Sequence, residues 1–231
     1  MLTTIGMFLG FLAIVWAANG RFEAAGMAIL IAALMDGLDG KVARLTHTSS
    51  AFGVQYDSLA DLVAFGLSPA FLLWHWQLCN LGRVGVAAAF IYTACGALRL
   101  ARFNVGAATT SKRFFIGLPI PAGGCTIVTF VFLARTLPAI TVIMPYLALG
   151  LSVCTGLLMV SRIRYFSFKE YDFLTAHPLR SMIAFLFLLA LLVSLPRIFG
   201  FVYCCLYIAW GLAYSFAPAR RRLPRLSGPH G

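Results

Sequence analysis

Acidic side chains are nearly absent from this sequence. Glu23, Asp36, Asp39, Asp57, Asp61, Glu170 and Asp172 are the seven in 231 residues, and charged residues of both signs make up only 11%. So little charge excludes an ordinary soluble globule, in which about a quarter of the residues are charged. The 61% hydrophobic content and mean hydropathy of +0.91 point instead to an integral membrane protein. Thiol motifs are missing too. Cys79, Cys95, Cys125, Cys154, Cys204 and Cys205 lie in or beside apolar segments, and none forms a Cys-x-x-Cys pair near a histidine. They are read as packed membrane thiols rather than metal or disulfide partners. His75, His177 and His230 show no ligand spacing. No basic residue leads into the first apolar run, so it is read as a retained helix rather than a signal peptide, although Ala17 and Ala18 precede Asn19. No internal repeat is visible.

What is present is a succession of apolar runs. They predict an all-α, polytopic transmembrane helix bundle of about eight helices, over 2–18, 22–45, 53–78, 82–104, 119–136, 140–160, 179–195 and 197–216. Gly6 and Gly10 in the first run have the spacing that lets membrane helices approach closely. Asn19-Gly20-Arg21 is a turn, and 161–178 is the one extended polar segment. Residues 1–216 therefore form a single transmembrane domain. Residues 217–231, with Arg220, Arg221, Arg222 and Arg225, are expected to be a disordered basic tail. The net charge of +11 would suit a nucleic-acid binder, but its distribution fits membrane topology better. With the N-terminus inside, only Arg21, Arg83, Arg135 and Arg197 fall outside, and the other basic residues fall inside. The positive-inside rule then puts both termini and the acidic cluster on the cytoplasmic side of the inner membrane, with no nucleic-acid partner.

Four of the seven acidic residues lie between positions 36 and 61. The stretch reads Asp36-Gly37-Leu38-Asp39-Gly40-Lys41-Val42-Ala43-Arg44, then eight residues, then Gly53-Val54-Gln55-Tyr56-Asp57-Ser58-Leu59-Ala60-Asp61. One carboxylate at the centre of a membrane helix costs on the order of 3 kcal/mol, so each marks a functional site. Asp36 and Asp39 share one helix face, and Asp57 and Asp61 share one on the next helix. Thr46, Thr48, Ser49, Ser50 and Gly53 suit a turn that would fold the two pairs together. Four carboxylates make an all-oxygen site for hard divalent cations, Mg²⁺, Mn²⁺ or Ca²⁺. Gly40 and Ala43 leave room on the face of Asp36, and Arg44 adds a cation suited to a phosphate oxygen. Together these features suggest pyrophosphate chemistry.

The pattern D-x-x-D-G-x-x-A-R, eight residues, G-x-x-x-D-x-x-x-D resembles the signature of the CDP-alcohol phosphatidyltransferases, matched at Asp36, Asp39, Gly40, Ala43, Arg44, Gly53, Asp57 and Asp61. The resemblance implies transfer of a phosphatidyl group from CDP-diacylglycerol to an alcohol with release of CMP. It implies two divalent cations (Mg²⁺ or Mn²⁺, with Ca²⁺ also suited). Asp36 and Asp57 would bridge both, with Asp39 on one and Asp61 on the other. Gly40 and Ala43 would admit the cytidine, with Gly53 in the same donor site, and Arg44 and Ser50 would hold phosphate oxygens. Asp61 would take the proton of the attacking hydroxyl. The family usually pairs as homodimers, and the donor's acyl chains would lie between helices, open to the bilayer and its membrane lipids.

The signature does not name the acceptor. Residues 57–66, 97–105 and 114–121 are similar to segments of bacterial CDP-diacylglycerol–serine phosphatidyltransferases, which implies L-serine. Arg99, Arg102, Asn104, Lys112 and Arg113 are the candidate cradle for its carboxylate. The same cations would suit glycerol 3-phosphate or inositol phosphate, and choline stays open as an acceptor. One departure from the relatives is Gly6-Met7, where they often carry an asparagine, and another is the lack of their short cytoplasmic lead. His47 is a loop residue or an outer donor to the site, and Trp74, Trp76 and Tyr92 are interface or packing aromatics. A carboxylate-relay transporter is the distant rival. The clustering of the acids at one end, rather than near the midplane, speaks against it.

Overall fold

The computed structural model describes residues 2–46, 51–106, 114–137, 142–161, 163–166 and 196–216. They form helices α1 (Leu2–Ala18), α2 (Phe22–Thr46), α3 (Ala51–Asp61), α4 (Ser68–Trp76), α5 (Arg83–Gly106), α6 (Ile120–Ala134), α7 (Met144–Val160) and α8 (Pro196–Phe216). The predicted runs at 2–18, 22–45, 82–104, 119–136 and 140–160 correspond to α1, α2, α5, α6 and α7. The run at 197–216 corresponds to α8. The span predicted over 179–195 lies outside the described residues. Among them, the helical segments Phe52–Trp76 and Arg83–Val105 are long and apolar enough to cross a membrane, with shorter apolar helices beside them. This is consistent with a helical membrane protein.

Small residues set the packing. Ala13 and Ala17 of α1 and Ala25, Ala28 and Ala32 of α2 are buried, one or two turns apart on facing stripes. They let the two helices lie close, as interfaces without a hydrophobic driving force require. Gly10 brings α1 equally close to the segment after α3, since a Cβ there would stand 2.7 Å from the Cα of Ala64. Ser68 Oγ donates to the Gly10 carbonyl at 2.8 Å, which fastens α1 to the chain after α3.

The run predicted over 53–78 is not one regular helix. A π turn, Leu62–Leu67, separates α3 from α4. Pro69 supplies the reason: it has no amide hydrogen for the Phe65 carbonyl, and its ring would clash with that carbonyl in an unbroken α-helix. The widened turn relieves the clash, and the Ser68 amide reaches back to Val63 O.

Two short strands break the all-helical pattern that the sequence predicts. β1 (Phe114–Ile116) pairs antiparallel with β2 (Arg164–Phe166), placing Phe115 opposite Tyr165. Gly117, at φ +83°, turns the chain from this ribbon into α6, and its amide donates to Ile163 O at 2.8 Å. The polar stretch from residue 161 thus begins as a ribbon strand against the segment that precedes α6.

Candidate active site

Helices α2 and α3 bring the acidic residues together. Asp36 of α2 and Asp57 and Asp61 of α3 each offer a carboxylate oxygen within 4.8 Å of the others, and all three are half-buried. They line a cleft with about 230 Å³ of empty space, whose other walls include Thr3, Gly6 and Met7 of α1 and Ala32 and Ala60. The alanines and the glycine leave the carboxylates unobstructed. Asp39 stands slightly apart. Its carboxylate accepts a hydrogen bond from Thr3 Oγ1, and it remains in electrostatic range of Asp36 and Asp57. Tyr56 OH, on the turn before Asp57, donates to Thr4 Oγ1 at 3.2 Å. The start of α1 is therefore clipped to both acidic helices. Gly6 and Met7 face this same cleft.

Charge is poorly balanced here. Two ionised carboxylates 4.8 Å apart repel by about 3 kcal/mol at an effective dielectric near 20. Arg99, only 9% exposed, is in electrostatic range of Asp61 and Asp36. Among the described residues this one guanidinium does not offset four carboxylates. Hard, anionic oxygen donors converging with an unmet need for positive charge fit a divalent cation.

The predicted acceptor cradle is divided by the structure. Arg99 at the end of α5 faces the carboxylates. Arg102, one turn on, points elsewhere, and its Nη1 donates to the Val160 carbonyl at the C-terminus of α7 at 2.8 Å. Asn104 lies along α3, where its Nδ2 donates to Gln55 Oε1 and Ser58 Oγ, both at 3.1 Å. Gly40, Ala43 and Arg44 lie within α2 and Gly53 within α3. His47, Ser50, Lys112 and Arg113 lie outside the described residues, as do the side chains of Ala43 and Arg44. Sequence reasoning missed three contributors. Thr3 was signalled only by two adjacent hydroxyls in an apolar run. Tyr207 of α8, in electrostatic range of Arg99, is one aromatic among many. The π turn after Asp61 was marked by Pro69.

A bundle of apolar helices holding a carboxylate cluster at the junction of two of them defines a helical membrane protein with a site for hard cations. The CDP-alcohol phosphatidyltransferase family matches residues 1–154, and the chain belongs to that family, which is dependent on divalent metal. The chain is similar to the CDP-diacylglycerol–serine O-phosphatidyltransferase of Helicobacter pylori, 38% identical over 212 residues that span 92% of this chain and 88% of the relative. The proteins of that name from Methanocaldococcus jannaschii and Bacillus subtilis are 35% identical over 184 residues and 34% identical over 170 residues. These cover 80% of each chain in the first case, and 73% of this chain and 89% of the relative in the second.

Proposed function

We propose that this protein transfers the phosphatidyl group of CDP-diacylglycerol to the hydroxyl of L-serine, giving phosphatidylserine and CMP. The observation that carries the reading is the convergence of Asp36, Asp57 and Asp61 in one cleft beside a buried arginine. The similarity to relatives named for this reaction, along most of their length, supports it.

Asp36, Asp39, Asp57 and Asp61 hold two divalent cations, Mg²⁺ or Mn²⁺, with Ca²⁺ also suited to the donors. When bound, these supply positive charge to the phosphate under attack and to the departing CMP. Gly40, Ala43 and Gly53 give the cytidine room to approach the backbone, and Arg44 and Ser50 hold phosphate oxygens. Asp61 accepts the proton of the serine hydroxyl as its oxygen bonds to phosphorus and the bond to CMP breaks. Arg99 is placed to pair with the serine carboxylate. Its burial strengthens a charge-assisted bond, and its position keeps the acceptor near Asp61. Lys112 and Arg113 complete the cradle, while Arg102 and Asn104 fasten α5 to α7 and α3.

The reading extends to topology. Residues 1–216 form one eight-helix transmembrane domain in the inner membrane, paired as a homodimer. The site and both termini face the cytoplasm, and 217–231 is the tail. Large apolar side chains exposed on the bundle, such as Phe8, Phe11, Phe90 and Trp210, support contact with lipid or a second copy.

The test is CMP release by the purified protein with CDP-diacylglycerol and Mn²⁺ or Mg²⁺, comparing L-serine with glycerol 3-phosphate, inositol phosphate and choline. Serine-dependent, chelator-sensitive release is expected. Release with another alcohol alone would discard serine and keep the chemistry. Asp61→Asn is expected to lose release while still binding CDP-diacylglycerol, and normal turnover in that variant would remove Asp61 from the base role.

A further inference from the structure

Tyr92 is fully buried in the middle of α5, far along the chain from the acidic stretch. Its hydroxyl donates to the Phe65 carbonyl at 2.9 Å. That carbonyl is the one the residue at 69 would serve in an unbroken α-helix, and a proline nitrogen carries no hydrogen. The tyrosine thus supplies, from another helix, a donor in place of the missing Pro69 amide. Ser68 Oγ lies 2.6 Å from Val63 O, and Thr93 Oγ1 lies 3.4 Å from Gly66 O. The phenol is held in place by the helices around it. A Cβ on Gly123 of α6 would stand 3.2 Å from the hydroxyl, and one on Gly156 of α7 would stand 3.2 Å from the Tyr92 Cα.

Asp61 is the residue immediately before this turn. An inserted π residue rotates the downstream helix by about 100° relative to a continuous α-helix, so the turn sets the phase between the cleft-facing Asp57 and Asp61 and the buried α4. Packing alone would be satisfied by phenylalanine, which carries no polar group into the core. The hydroxyl serves the turn.

We infer that Tyr92 is a positioning residue for Asp61: its hydroxyl, bonded to Phe65 O, holds the π turn that aims the Asp61 carboxylate into the cleft. The inference rests on the reading of Asp61 as a member of the metal and proton-transfer site.

Tyr92→Phe removes the donor and leaves the ring. The expected result is a fall in kcat for CMP release and in Mn²⁺ affinity, the latter read by electron paramagnetic resonance, each of roughly tenfold. KM for CDP-diacylglycerol should stay within about twofold, since the donor contacts are elsewhere. Wild-type kcat and Mn²⁺ affinity in this variant would overturn the inference, even with a lowered Tm. The double variant Tyr92→Phe/Pro69→Ala gives Phe65 O an amide donor again and keeps the experiment decisive if the single variant fails to fold. It should regain Tm while staying slow and weak for Mn²⁺. Recovery of all three would reduce Tyr92 to a structural role and overturn the inference. A wild-type protein that binds Mn²⁺ but releases no CMP with serine defeats only the proposed reaction, because the Mn²⁺ comparison still decides the role of Tyr92. A wild-type protein that does neither defeats both.

Discussion

The two ends of α2 carry the same functional group in opposite circumstances. Near its start, Glu23 is more than half exposed and stands 3.8 Å from Arg135 Nε, whose guanidinium also lies over the Phe22 ring. Toward its other end, Asp36 shares a half-buried cleft with two further carboxylates, with Asp39 close by and Arg99 beside them. One carboxylate has its own cation and water nearby. Among the described residues the others share the guanidinium of Arg99, in a cleft whose lining includes alanines and a glycine. Charge balance, more than the presence of acids in an apolar helix, separates a surface ion pair from a site that needs a metal.

The comparison breaks most visibly by exchanging carboxylates for amides at both ends. Asp36→Asn is expected to lower CMP release by about a thousandfold or more and to abolish Mn²⁺ binding, while Glu23→Gln should keep activity within about twofold. Equal losses at the two ends would show that α2 tolerates no uncharged substitution anywhere and would void the contrast. A smaller effect separates the arginines. Arg99→Ala should raise the KM for serine by about tenfold or more with the donor KM little changed, corresponding to the loss of a charge-assisted hydrogen bond. Arg102→Ala should leave the serine KM unchanged and cost about 1 kcal/mol of stability through the freed Val160 carbonyl, measured by thermal unfolding in detergent. The opposite assignment of KM effects would return Arg102 to the acceptor cradle. Smallest of all is the Glu23–Arg135 pair. A double-mutant cycle should give a coupling of about 0–1 kcal/mol, and a much larger value would mean that this end of the helix is also electrostatically specialised.

The carboxylate cluster was legible because membrane helices punish charge, so four acids at helical spacing had to converge. Helix ends at Ala18 and Phe22 were legible from the Asn19-Gly20-Arg21 turn, and the start of α6 at Ile120 from Pro119 and Pro121. The division of Arg99, Arg102 and Asn104 was not legible, because three residues within two turns of one helix point in different directions and only the neighbours, α7 and α3, decide what each meets. The π turn is a subtler case. Leu62 to Leu67 is uniformly apolar and shows no periodicity to interrupt, and Pro69 signals a broken hydrogen bond without naming the replacement donor. Tyr92, read from the sequence as an interface or packing aromatic, is buried in the packing, and its hydroxyl is that donor. The β1–β2 ribbon escaped because three-residue strands are too short to alternate visibly, and their partners lie in a segment whose polarity suggested only a loop.

The tight seam at Gly10 bears on the route a lipid takes. At that depth there is no room between α1 and the π turn even for a methyl group, which would meet the Ala64 backbone at 2.7 Å, and the Ser68–Gly10 hydrogen bond closes the seam further. An acyl chain cannot slide through it to reach the carboxylates. On the proposed reading, the two tails of a diacyl substrate are then expected along another side of the bundle, with this seam as a wall that gives lateral diffusion from the bilayer a direction.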